Sequence, residues 1–216
     1  MLKFYGFLIT GIFLLLACRE KQEKLAESTS LETDSSIKDS SFVTPAKTEA
    51  SGDLMALAKE ASLALKKKDF AKLSEHAHPE KGVRFSPYGH VNVLTDKVWK
   101  KEQLNKFWED TTRHLWGYYD GSGDTMLLNP QEYYTKFIYP KDFIKAPHIA
   151  QDSILNSGNS LLNFKEVYPD AHFVEFYIPG TDPRYGGMDW QDLRLFFEMY
   201  DGKMYLVGVV HDQWTI

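Results

Sequence analysis

Toward the C-terminus of the chain, His211 and Asp212 stand next to each other, a histidine and a carboxylate of the types that pass protons as base and acid. Neighbours on a strand point to opposite faces, so these two cannot hold one another, and the expected partner of His211 is Asp192 across a hairpin. Asp212 then falls on the apolar face, where a carboxylate is costly unless a cation or several N–H donors meet it. Arg84 is the expected cation. The catalytic candidates are therefore Asp212 and His211 as acid or base, with Arg84 stabilising developing negative charge. Arg84, Tyr88, Asp192 and Trp214 are the candidates for contacting a ligand. The competing role for these residues is structural, a buried ion pair that holds the sheet closed.

Other spacings promise less. His76 and His78 are two apart and Pro79 follows, which turns them to different sides of a helix and argues against a metal pair. Asp120-Gly121-Ser122-Gly123-Asp124 begins as a calcium loop does. Thr125, however, stands where an EF-hand needs glycine and Gln131 where it needs a bidentate acid, so a tight turn is expected. Tyr185-Gly186-Gly187 lacks the lysine and following helix of a phosphate loop and reads as a bend leading into a strand. The aromatic residues from Trp116 to Phe143 are expected mostly in core and rim, with a surface platform for sugar or peptide as the alternative. No nucleophile with a neighbouring base, carboxylate pair or cofactor fingerprint is legible, so neither a cofactor nor a metal is expected.

These residues need elements to hold them. Leu54, Leu57, Ala58, Ala61 and Leu65 recur at helical spacing and predict a helix ending near Lys68. Asp69 caps a second, short helix that Pro79 stops, and Val83-Arg84-Phe85 reads as a strand ended by Pro87. Further helices are expected over residues 100–116 and 131–137, and strands over 172–178, 193–200 and 204–214. Asp201-Gly202 predicts a type I′ turn. That register puts Glu198 opposite Tyr205, Arg194 opposite Val209, and Asp192 opposite His211. One face then carries Leu193, Leu195, Phe197, Met199, Met204, Leu206 and Val210 as core. The other carries Asp192, Arg194, Glu198, Tyr205, His211 and Gln213 and is expected to be partly wet. Helices first and an antiparallel sheet afterwards argue one α+β domain over residues 51–216.

At the N-terminus, Lys3 precedes residues 4–17, which carry no charge, too short a run for the roughly 20 residues a membrane-spanning helix needs. It ends in Leu15-Leu16-Ala17-Cys18, which resembles the lipobox of bacterial lipoproteins. The resemblance implies that residues 1–17 are a signal peptide and that Cys18 is lipidated with diacylglycerol and palmitate. The chain is then anchored to a membrane on its extracytoplasmic side, in the bacterial cell envelope. Cys18 is the single cysteine, so the exported fold has to rest on its core rather than on disulfides. Residues 19–50 hold ten Ser or Thr in 32 positions and bury too little to fold, so residues 18–50 read as a lipidated cysteine and flexible tether. From Ser51 onward the composition is that of a packed domain, with all five tryptophans beyond residue 98. A net charge of −5, spread along the chain, excludes nucleic acid as an expected partner.

Four stretches carry a second resemblance: His78-Pro79-Glu80-Lys81-Gly82-Val83-Arg84-Phe85-Ser86-Pro87-Tyr88, Tyr119-Asp120-Gly121-Ser122-Gly123-Asp124, Tyr185-Gly186-Gly187-Met188-Asp189-Trp190, and the closing His211-Asp212-Gln213-Trp214-Thr215-Ile216. With the order of elements they resemble bacterial exported lipoproteins with an NTF2-like (SnoaL-like) domain. The resemblance implies an α+β cone, N-terminal helices packed against a curved antiparallel sheet. That family includes enzymes and non-enzymatic modules, and none of the enzymes' motifs matches here position by position. Two functions are expected: a binding or interaction module for a small molecule, glycan or protein partner, or a hydrolase, isomerase or dehydratase using Asp212 and His211 with Arg84. Replacing the lipid acceptor, Cys18→Ser, should leave the domain folded and move it from the membrane fraction to the soluble or uncleaved-precursor fraction. Membrane fractionation with immunoblotting checks this, and a mature-sized product still on the membrane would count against the anchor.

Overall fold

The structure, a computed structural model, describes residues 49–215; the expected signal peptide, Cys18 and the expected tether up to residue 48 lie outside the described residues, while residues 49 and 50, expected in the tether, open the first helix. The first helix, α1 (Glu49–Lys66), buries Leu54, Ala58, Ala61 and Leu65 along one stripe, the spacing that predicts it. Lys68 takes a left-handed turn, and the Asp69 side chain accepts a hydrogen bond from the Lys72 N–H at 2.9 Å to cap α2 (Phe70–His76). His78 turns away from His76 and its Nδ1 accepts the backbone N–H groups of Glu80 and Lys81, so the two histidines do not converge. Strand β1 (Val83–Ser86) pairs antiparallel with β2 (Lys97–Trp99).

The helix expected over residues 100–116 is cut short. Helix α3 spans only Lys101–Asn105, and Trp116 lies on β3 (His114–Tyr118), paired with β4 (Thr125–Leu128). Asp110 is the reason: its side chain accepts the Thr112 N–H at 2.8 Å and bonds the His114 ring at 2.7 Å, a local alternative to the helical ladder. Gly117, at φ +117°, then bends β3. The Asp120–Asp124 stretch is the tight turn expected, with Gly121 and Gly123 both at positive φ. Helix α4 (Pro130–Tyr133) has a capping box between Asn129 and Glu132 and continues as a single π turn, Tyr134–Ile138. After β5 (His148–Gln151) and the short α5 (Phe164–Val167) come β6 (His172–Ile178), β7 (Gln191–Tyr200) and β8 (Lys203–Gln213).

The six-stranded sheet runs β2-β1-β8-β7-β6-β5, with β1 and β8 parallel and every other neighbour antiparallel. Asp201 and Gly202 both have positive φ, as a type I′ turn requires, and Tyr200 to Phe197 pair with Lys203 to Leu206 as that turn dictates. Val207 is then left over, a bulge that slips the register by one. Beyond it Arg194 faces Val210 rather than Val209, and Asp192 faces Asp212 rather than His211. A slip of one residue exchanges the faces of everything that follows. His211 therefore lies on the core side, its ring near Phe137 and Phe143, while Asp212 joins Asp192 and Arg194 on the opposite face.

Both faces are covered. The helices, β3 and residues 133–143 fill one side with Leu65, Phe70, Phe107, Trp116, Tyr133, Phe137 and Phe143, where Trp116 stacks on Tyr133 at 3.8 Å. The face expected to be partly wet is closed over Asp192 and Arg194, while Tyr205 and Gln213 stay half-buried. Residues 152–171 cross it, and Phe164 and Tyr168 pack with Phe196, Val207 and Val210. The result is the α+β arrangement expected, helices against a mixed, mostly antiparallel sheet, with a second small core behind it. Gly208 sits at the closest point of that second core, where an added Cβ would meet the Tyr168 hydroxyl oxygen at 2.7 Å and its ring carbon at 2.9 Å. Gly208→Ala should cost about 1–3 kcal/mol in a urea unfolding titration, and a Tyr168→Leu background should shrink the penalty.

Candidate functional site

Arg194 is completely buried and organises the second face. Its Nη1 donates to Asp212 Oδ2 at 3.0 Å, and its Nη2 donates to Asp192 Oδ2 at 2.8 Å, Glu175 Oε1 at 3.2 Å and the Asn156 carbonyl at 2.6 Å. Strand alternation explains the convergence, because Glu175 pairs with Arg194 across β6 and β7 while Asp192 pairs with Asp212 across β7 and β8. All four side chains are shut from solvent. Three carboxyls for one guanidinium leave a surplus of negative charge in a low-dielectric place, and proton uptake reduces it. Burial, aided by the charges of Glu175 and Asp212 and opposed by Arg194, pushes Asp192 up to about 9. It is therefore a neutral acid at pH 7, with the Glu175 carboxyl among the influences that hold its proton. Burial also raises Asp212, against the pull of Arg194 and of its backbone donors.

The expected pairing of Asp212 with Arg84 is not what forms. Arg84 Nη1 donates to the carbonyls of Val93 and Asp96, at 3.3 and 3.0 Å, and the cation on Asp212 is Arg194. Nor does His211 meet Asp192: its Nδ1–H donates to the Pro87 carbonyl at 3.1 Å, and complete burial pushes its imidazole down to about 4. Asp212 Oδ1 accepts the Gly89 N–H at 3.2 Å. Position 89 has no room for a side chain, since a Cβ there would lie 2.5 Å from Asp212 Oδ2. His211 and Asp212 thus grip the same loop, at Pro87 and Gly89, from opposite faces of β8. The residue between them is Tyr88.

Tyr88 is where the sequence expectation and an open site coincide. It lines a groove of about 420 Å³ with Asn92, Asp96, Tyr118, Tyr119, Asp120 and Asn159, among others. The Tyr88 hydroxyl accepts the Asp120 N–H at 3.2 Å, and its ring packs edge-on against Phe137. The far wall comes from residues 159–160, held by Asn159 donating to the Thr215 carbonyl at 2.8 Å and by the His90 ring donating to the Leu161 carbonyl at 3.0 Å. Asp96 Oδ2 accepts the Asn92 N–H at 2.9 Å, and burial, the largest influence, pushes this carboxyl up to about 6. Asp192 lies in the Arg194 network and Trp214 is exposed outside the groove, so of the four ligand candidates only Tyr88 lines it. Asp96 is not singled out by spacing, whereas Tyr118 and Tyr119 belong to the aromatic stretch whose alternative reading is a platform for sugar or peptide. The one local signal for Asp96 is the turn that Asn92 and Asp96 close between two strands. A more open depression of about 560 Å³ beside β2 and α3 is lined by charges of both signs, Lys97, Glu102, Lys106 and Glu109, and by the Asp110–His114 pair that closes the turn before β3.

Comparison with known proteins adds no argument to the geometry. No family model and no curated protein matches the chain. Among solved structures it is similar to a Xanthomonas campestris protein described as a calcium/calmodulin dependent protein kinase II association domain, with 16% identity, 78% of this chain and 90% of that one covered, and a TM-score of 0.34. The Aln2 protein of a Streptomyces species gives 8% identity, 77% and 92% coverage, and a TM-score of 0.36. A protein named Rd1NTF2_05, carrying five substitutions, gives 13% identity, 76% and 99% coverage, and a TM-score of 0.31.

The protonated Asp192 makes stability fall with pH. A carboxyl raised on folding contributes fully below its ordinary value near 3.8 and loses that contribution as pH climbs through about 9. Between pH 7 and 9.5, above the titrations of His211 at about 4 and Asp96 at about 6, the unfolding midpoint should decline. Asp192→Asn, which keeps a donor for Glu175, should flatten that decline in thermal melts.

Proposed function

We propose that the chain is a lipid-anchored extracytoplasmic binding module whose small-molecule or glycan ligand occupies the groove beside Tyr88. The observation that carries this is where the space lies. The side of the sheet enclosed by the helices is filled by Trp116, Tyr133, Phe137, Phe143 and His211, each no more than 1% exposed, whereas the groove at the loop end is open. The rival hydrolase, isomerase or dehydratase needs Asp212, His211 and Arg84 to converge on one accessible space. Their hydrogen bonds run instead to Arg194, the Pro87 carbonyl and two loop carbonyls. His211 and Asp212 are positioning residues, because the two bonds they make to Pro87 and Gly89 set where Tyr88 stands. No helix among the described residues is long and apolar enough to cross a membrane, so membrane attachment in this reading depends on Cys18.

The test is an NMR titration of the full chain against a panel of small saccharides, amines and peptides. Shifts should concentrate on the amides of Gly89, Asn92 and Tyr119. Tyr88→Ala should weaken the responding compound about tenfold or more, the scale of one lost aromatic wall. Asp212→Asn should weaken it less and lower thermal stability as well. A ligand bound equally well by Tyr88→Ala would move the site elsewhere.

A further inference from the structure

The groove's lining has a one-sided charge. Among the described residues it includes two carboxylates, Asp96 and Asp120, neither lysine nor arginine, and one histidine, His90, whose ring is bonded to the Leu161 carbonyl. The nearest guanidinium, Arg84, is turned to the backbone carbonyls of Val93 and Asp96 and leaves the Asp96 carboxyl with the Asn92 N–H and Ser86 as partners. A second observation lies behind the first. Tyr133 is fully buried, its hydroxyl has no hydrogen-bond partner among the described residues, and the groups whose charges act on it are Asp96 and Tyr88, both on the groove. A buried hydroxyl without a partner costs free energy comparable to a lost hydrogen bond, and here it stands beside an acid that burial keeps short of charge. The species that complements this arrangement is a cation. When one arrives Asp96 ionises, and the Tyr133 O–H, which makes no hydrogen bond in this structure but feels the Asp96 charge, turns its dipole toward the new carboxylate. Three tyrosines line the same groove, Tyr88, Tyr118 and Tyr119, and aromatic faces suit both the stem of an amine and its charge. Tyr119 already carries one cation on its ring, Lys136 Nζ at 4.2 Å from the centroid.

We infer that the groove takes its ligand by a protonated primary amine, paired with Asp96, with Tyr133 supporting the ionised carboxylate and Tyr88, Tyr118 and Tyr119 flanking the rest of the molecule. This rests on the groove as the binding site and adds the ligand's charge. Two classes share the chemistry, amino sugars and aliphatic polyamines. Groups that face Asp96 and affect its titration are Arg84 on β1, His90 on the loop, Tyr133 at the end of α4 and Tyr168 after α5. The affinity for an amine therefore rises with pH as Asp96 ionises near 6.

Calorimetric titration of the full chain with glucosamine, putrescine, and neutral N-acetylglucosamine as control, at pH 5 and 7.5, decides it. Glucosamine or putrescine should bind about tenfold more tightly at pH 7.5 than at pH 5, and at least about tenfold more tightly than N-acetylglucosamine. Response to glucosamine alone assigns an amino sugar, and response to putrescine alone assigns a polyamine. Asp96→Asn should abolish the pH dependence and most of the affinity, while His172→Asn, away from the groove, should keep both. Tyr133→Phe guards against a folding defect in the Asp96 variant: it removes only an unpartnered hydroxyl, so the melting temperature should hold while affinity drops several-fold and the pH midpoint rises. N-acetylglucosamine binding as tightly as glucosamine would overturn the charge inference and leave the groove standing. Neither amine binding, or amine affinity unchanged in Asp96→Asn, would overturn it as well.

Discussion

A single guanidinium with no access to water governs much of this molecule. Arg194 has to be neutralised where it stands, and its partners come from β6, β7 and β8 and from the chain that crosses them at Asn156. Glu175 takes the backbone N–H groups of Leu155 and Asn156 at 3.0 and 3.3 Å, so the network also ties down residues 152–163. Such a centre stabilises little in itself, because removing charged groups from water costs about as much as their attraction returns. Taking away one partner leaves a buried charge alone, at a cost of about 3–5 kcal/mol. Its role is to enforce one arrangement: the strand register, the crossing segment and the loop at Gly89 all have to be right for every charge to be met.

From that centre a chain of short contacts leads to the open site. Asp212 ties Arg194 to Gly89, His211 holds Pro87 from the other face, and Tyr88 between them closes onto Asp120. On the opposite wall Asn163 bonds both backbone groups of Val91, and the crossing segment returns through Asn159 to Thr215. The groove therefore lies between two loops that are anchored at the same buried cluster. Rigid support of this kind lets loops present a precise set of side chains without a filled core beneath them. It also explains how His211 and Asp212 can have the residue types of a proton-transfer pair without touching a ligand: the hydrogen bonds they make hold backbone and Arg194 in place.

Electrostatically the two acidic centres behave differently, and burial decides how. In the Arg194 network a cation is built in and the surplus acid keeps its proton, so Asp192 is neutral at pH 7. At the groove the Arg84 guanidinium bonds backbone carbonyls instead of the Asp96 carboxyl, which titrates near 6, within reach of a change in surroundings or of an arriving charge. One arrangement is sealed and the other is poised, which separates scaffold from site on physical grounds.

Much of the chain's architecture was decided locally and could be read from residue order. The stripe of Leu54, Ala58, Ala61 and Leu65, the Asp69 cap, the β6, β7 and β8 strands and the Asp201-Gly202 turn all depend on spacing and on φ preferences carried by each residue. The helix expected through residues 100–116 failed because the Asp110 side chain competes with the ladder, a contact that helical periodicity does not register. The site itself belonged to the tertiary structure. Turn chemistry sets the register only as far as Phe197 and Leu206, and the bulge at Val207 reverses the faces of everything beyond it, so Asp212 meets Arg194 instead of Arg84. No residue of that strand announces the bulge. It is favoured by what it brings together across three strands and two loops, and packing over such distances leaves no period in the sequence.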